Sequence, residues 1–66
     1  MYRVTAREVV AALKADGWLL VRTKGLHAQY RHPTKPGLVT VPMHPGDLPI
    51  GTLKSIEKAA SLKLRR

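Results

Sequence analysis

The sequence predicts an α+β domain: a helix, three strands and a second helix in succession, the strands forming an antiparallel sheet with both helices on one face. Three observations carry this prediction. An apolar stripe at helical spacing follows Thr5, a two-residue alternation runs from Leu26 to Arg31 between turn residues, and a second helical stripe follows Pro49.

The first helix opens at Thr5-Ala6-Arg7-Glu8, where the Thr5 hydroxyl can accept from the Glu8 backbone N–H and the Glu8 carboxylate can reach back to Thr5. Ala6, Val9, Val10 and Leu13 then recur on one side, with Arg7, Glu8, Lys14 and Asp16 on the other, and Gly17 marks the stop. Such a stripe needs a sheet to cover.

Three segments supply the sheet: Trp18 to Thr23, Leu26 to His32 and Leu38 to Val41. Lys24-Gly25 and Pro33-Thr34-Lys35-Pro36-Gly37 separate them as turns. In the second segment Leu26, Ala28 and Tyr30 alternate with His27, Gln29 and Arg31, and two-residue periodicity sends the first set to the core and the second to the opposite face. Trp18, just after a helix, belongs with the core.

The loop Pro42-Met43-His44-Pro45-Gly46-Asp47 is too rich in proline for regular structure. Pro49 then suits the first turn of the closing helix, with Asp47 or Leu48 as its cap, and Ile50, Leu53, Ile56 and Ala60 form a narrow apolar stripe. Lys63 to Arg66 reads as a frayed tail. The 66 residues make one domain, 1–66, with no internal repeat and no linker.

Twelve Lys and Arg against four Asp and Glu give a formal charge of +8, which points to a polyanion. The cations are spread over several segments rather than along one amphipathic helix, which favours nucleic acid over a membrane surface. Apolar runs such as Trp18 to Val21 fall far short of the roughly 20 residues that span a bilayer. The absence of cysteine and of an apolar leader after Met1 leads us to expect a cytoplasmic protein. Three histidines at uneven spacing and four scattered acids make neither a zinc set nor a magnesium site, so no metal or cofactor is expected.

Lys24-Gly25-Leu26-His27-Ala28-Gln29-Tyr30 resembles the strand motif Gly-Ser-His of the HicA family of toxins from bacterial toxin–antitoxin pairs, with Leu26 standing where the motif has serine. The likeness extends over nearly the whole chain. Val9-Val10-Ala11-Ala12-Leu13-Lys14 with Gly17-Trp18 is similar to the family's opening, and Val39-Thr40-Val41-Pro42, His44 and Leu48 to Ile56 to its third strand and closing helix. The resemblance implies a fold like that of double-stranded-RNA-binding domains, cleavage of messenger RNA, and a HicB-type antitoxin that masks the active surface.

On that resemblance His27 is the expected catalytic residue. RNA carries its own nucleophile in the ribose 2′-hydroxyl, so cleavage requires a base for that proton, a cation for the phosphorane charge and an acid for the leaving oxygen. Arg22, Lys24, Gly25, Gln29 and Arg31 are the expected RNA-binding residues around it: Lys24 and Gly25 form the turn into the His27 strand, where an ammonium and backbone N–H groups can meet phosphate. Lys35, Lys54 and Lys58 are expected to make diffuse phosphate contacts. His32 fits a structural hydrogen bond, and His44 fits either a turn residue packed on Pro45 or the missing acid. Two other readings share the same charge and fold: a non-catalytic RNA-binding module that uses His27 only as a donor, and an assembly partner that binds the antitoxin and through it reaches operator DNA.

Overall fold

The computed structural model describes residues 3–65. Helix α1 (Ala6–Ala15), strands β1 (Leu19–Lys24), β2 (His27–Arg31) and β3 (Leu38–Pro42), and helix α2 (Ile50–Ala60) follow one another in the expected order. The sheet is antiparallel with the order β1-β2-β3. Met1 and Tyr2, which open the segment read for a leader, and Arg66, the end of the tail, lie outside the described residues.

The local chemistry expected of α1 is present at both ends. Thr5 is extended, its hydroxyl accepts from the Glu8 N–H at 3.2 Å, and its own N–H donates to the Glu8 carboxylate at 3.2 Å. At the other end Gly17 takes φ +102°, so that its N–H reaches the Lys14 carbonyl at 3.1 Å and the Trp18 N–H reaches the Leu13 carbonyl at 2.9 Å. That backbone turn delivers Trp18 into the core, where it is fully buried.

Ala28 and Tyr30 of β2 and Val39 and Val41 of β3 form the covered face of the sheet, packed with Val9 and Leu13 of α1 and Leu53, Ile56 and Ala60 of α2. Each large side chain removed from water here contributes roughly 1.5–3 kcal/mol, which in a domain this small leaves little to spare. An antiparallel bridge between Thr5 and Asp47, and a 2.8 Å bond from the Leu48 N–H to the Val4 carbonyl, close the loop before α2 onto the segment before α1.

Several expectations are corrected. Leu26 is not a core residue of β2: it occupies the second position of a two-residue turn, flanked by the paired Lys24 and His27, and is 52% exposed. Gly25 takes φ +59° there while Leu26 has no positive φ, the pattern of a two-residue hairpin that begins with glycine. Pro49 is itself the N-cap of α2, its carbonyl accepting from the Leu53 N–H at 3.0 Å, and neither Asp47 nor Leu48 caps the helix. The tail is anchored rather than frayed. Ser61 turns the chain in the left-handed region, and the Glu57 carboxylate then accepts from the backbone N–H groups of Leu64 and Arg65 at 2.7 and 2.9 Å and pairs with the Arg65 guanidinium at 2.8 Å. These bonds, the one from the Arg65 backbone foremost, hold the Glu57 carboxyl below its usual range.

Lys35 is not a phosphate contact waiting in solvent. Its ammonium pairs with the Asp16 carboxylate at 2.6 Å and donates to the Ala60 carbonyl at 3.0 Å, tying the β2–β3 loop to the ends of both helices. The hydrogen bond from Lys35 depresses the Asp16 carboxyl. His32 has the structural role expected of it: Nδ1 accepts from the Thr34 and Lys35 N–H groups at 3.1 Å each, so Nε2 carries the proton and donates to the Asp16 carbonyl at 2.7 Å. Its ring meets Trp18 edge-on, with centroids 5.2 Å apart.

Candidate nucleic-acid interface on the open face of the sheet

Because Ala28 and Tyr30 face the helices, His27, Gln29 and Arg31 face away from them, and the register places three cross-strand rows on this open side. Lys24, His27 and Pro42 form the first row, Arg22, Gln29 and Thr40 the second, and Leu19, Arg31 and Leu38 the third. His27 is exposed, and its side chain has no hydrogen-bond partner among the described residues. Gln29 is half-buried and accepts from the Arg22 Nε–H at 2.6 Å.

A β-bulge puts the β1 cations on this face. Leu20 pairs with Tyr30 and Arg22 with Gln29, so Val21 is the extra residue opposite no partner of its own. In an unbroken ladder Val21 would oppose Gln29 and Arg22 would fall on the helix side; the bulge re-aims Arg22, and with it Lys24, to the open face. Sequence periodicity could not reveal this, since alternation along β1 changes phase at Val21.

The five expected binding residues are therefore not equidistant from His27. Lys24 is its direct cross-strand partner and Gly25 lies in the turn between them. Arg22 and Gln29 form the next row, a fixed polar pair. Arg31 is four residues along the same strand, about 13 Å away at roughly 3.3 Å per residue, and is the most distant of the five from His27. Thr40 and Pro42 of β3, and the exposed Leu19 and Leu38, complete the surface without having been singled out in advance. The period of Leu38-Val39-Thr40-Val41-Pro42 carried the signal for the β3 residues.

The field over this face is unopposed. No Asp or Glu occurs between Leu19 and Pro42. Of the four acids, Glu8 belongs to the α1 cap, Asp16 pairs with Lys35, Glu57 pairs with Arg65, and Asp47 lies in the loop before α2. A polyanion laid across the sheet meets cations from β1 and β2 and no carboxylate.

The fold and this surface define a small basic α+β domain whose helix-backed sheet leaves an open cationic face bearing an exposed histidine. The model of the HicA toxin of bacterial toxin–antitoxin systems matches residues 6–62, and the chain belongs to that family. No curated protein matches it significantly. Membership makes the chain the toxin of a toxin–antitoxin pair and implies a HicB-type antitoxin as its partner. Among the described residues no helix is long and apolar enough to cross a membrane.

Proposed function

We propose that the chain is an endoribonuclease that cleaves messenger RNA without a metal, with His27 as the base that takes the ribose 2′-hydroxyl proton. The observation that carries this reading is the first row of the open face, where an exposed, unengaged imidazole stands directly across from Lys24 on a surface free of carboxylates. The 2′-oxygen attacks phosphorus, the bond to the 5′-oxygen breaks, and the fragments carry a 2′,3′-cyclic phosphate and a 5′-hydroxyl. The Lys24 ammonium and the N–H groups of the Gly25 turn steady the charge that builds on the phosphorane, the kind of stabilisation usually worth most in such a site. Arg22, Gln29 and Arg31 bind the flanking strand.

Chelator-resistant cleavage is expected because no Asp or Glu lies in the three strands: Asp16 and Glu57 are paired with Lys35 and Arg65, Glu8 caps α1, and Asp47 lies in the loop before α2. The antitoxin, on this reading, neutralises the toxin by covering the His27 row with an acidic surface, and operator DNA is reached only through it. The test is incubation of the protein and of a His27→Ala variant with labelled messenger RNA in EDTA, with end-group analysis of the fragments. Cyclic-phosphate ends from the wild type, and a rate about 100- to 10,000-fold lower in the variant, are the expected result. A mobility shift with intact RNA in both would leave a non-catalytic RNA-binding module.

A further inference from the structure

The reaction proposed above needs an acid for the leaving 5′-oxygen, and the first row of the open face contains no second proton donor suited to neutral pH. The β2–β3 ladder supplies one just beyond its end. His27 pairs with Pro42, and the ladder continues one step past both strands through a 2.6 Å bond from the Met43 N–H to the Leu26 carbonyl. His44 follows Met43 directly, two residues beyond the cross-strand partner of His27, and a chain that stays extended at that offset is a diagonal neighbour at about 7–8 Å. Two imidazoles at that separation can flank one phosphodiester, each within about 2.6–3.2 Å of its own oxygen.

The surroundings of His44 suit that task. Its residue is exposed, it has no hydrogen-bond partner among the described residues, and it lines a depression of about 480 Å³ with Thr5, Arg7, Met43, Pro45 and Gly46. Arg7 is exposed and likewise unengaged, so the same depression offers a cation to the next phosphate along the strand. Pro45 and the Asp47–Thr5 bridge fix the loop on the side of His44 away from β3. His32, the third histidine, is excluded from such a role because both its ring nitrogens are committed to backbone groups.

We infer that His44 is the acid of the same reaction. As the 2′-oxygen forms its bond to phosphorus and gives its proton to His27, the bond from phosphorus to the 5′-oxygen breaks and that oxygen takes the proton of the His44 imidazolium. The two rings end in each other's starting state, and exchange with water resets them. This inference rests on the ribonuclease reading.

The test compares wild type, His27→Ala, His44→Ala and His44→Gln on an RNA dinucleotide and on its analogue with sulfur in place of the bridging 5′-oxygen. The thiolate leaves without protonation, so the analogue makes the acid dispensable. The expected result is a loss of about 100- to 10,000-fold for both His44 variants on the oxygen substrate, return to within about tenfold of wild type on the sulfur substrate, and no such rescue for His27→Ala. The alkaline limb of the pH–rate profile disappears with His44, which a loop-packing role would not cause. Thermal melts verify that the variants fold. Full activity of the His44 variants, or a loss that sulfur does not rescue, overturns the inference while leaving His27 in place; a wild type inert toward both substrates overturns the ribonuclease reading and this inference together.

Discussion

The division of cations into free and engaged makes a sharp prediction about RNA binding. Lys24 and Arg31 are exposed on the open face and unpaired among the described residues, whereas Lys35 is held by Asp16 and the Ala60 carbonyl on the helix side. Each cation that neutralises a phosphate of a single strand contributes about 0.7 to the slope of log affinity against log salt. Replacing both Lys24 and Arg31 by Gln should lower the magnitude of that slope by about 1.4, while Lys35→Gln should leave it unchanged and reduce thermal stability instead. The assay is fluorescence anisotropy with a labelled 2′-O-methyl RNA, which lacks the attacking hydroxyl and stays whole whatever the catalyst, measured across a salt series. Wild-type slope in the Lys24, Arg31 double variant would refute the open face as the RNA surface. An equal fall for Lys35→Gln would refute the argument that the ion pair withdraws that lysine, and binding would then follow total charge alone.

Three further outcomes follow from the packing. Glu57 is held below the ordinary value of 4.5 by the tail's N–H groups, so the stability it contributes is present above that value and is lost as pH falls through its folded value. Glu57→Gln should therefore lower the melting temperature at neutral pH and flatten its acid decline, the part due to Asp16 remaining; an unchanged acid decline would exclude the tail anchor as a source. Gly17→Ala forces a side chain into φ +102° with its Cβ 3.0 Å from His32 Nε2, and should cost at least about 1 kcal/mol, or about 4–8 °C in melting temperature. Adding His32→Ala should recover only the steric share, leaving the backbone strain visible in a double-mutant cycle. Leu26→Ser, at a half-exposed turn position, should change stability by less than about 0.5 kcal/mol, so that any change in cleavage rate reads the hydroxyl rather than the fold; a large loss of stability would return Leu26 to the core.

Elements governed by local chemistry were legible in the sequence. Thr5 and Glu8 announce the α1 cap because both partners lie within one turn, and the Ala28–Tyr30 alternation survives because a single residue step decides each face. Leu26 misleads because its apolar side chain prolongs that alternation through a turn; what separates turn from strand is the sign of φ at Gly25, which no side chain encodes. Leu19, Leu20 and Val21 form an apolar run yet are 66, 52 and 49% exposed, since the helices pack over β3 rather than β1 and the bulge at Val21 breaks the phase of the strand. Long-range polar pairs were the least legible. Lys35 and Asp16 are 19 residues apart, and nothing in either one's neighbourhood marks it as the other's partner. Likewise Glu57 captures the tail only because Ser61 turns the chain back toward it. That His27 faces away from the helices was legible in the alternation of β2, whereas the place of His44 depends on where the β2–β3 ladder ends.

The placement of the acids explains how so small a domain carries so strong a charge and still presents a usable surface. Glu8, Asp16 and Glu57 are spent where the fold needs them: on a helix start, on the Lys35 clasp between both helix ends, and on the tail that buries Leu64 against the core. Each serves a cation or an N–H group of the helix layer, and none lies in a strand, so Arg22, Lys24 and Arg31 meet no carboxylate within the sheet. Like charges on one face repel and oppose compaction, and the fold bears that cost only where a negative partner can relieve it. RNA and an acidic antitoxin both can, and whichever binds the folded chain stabilises it in proportion to its concentration over Kd, by about 2.7 kcal/mol at a hundredfold excess. On the ribonuclease reading, the same uncountered charge makes this surface both the binding site for substrate and the place where a protein inhibitor is most effective, because a partner that covers the His27 row would remove the catalyst and the field that recruits RNA in one contact.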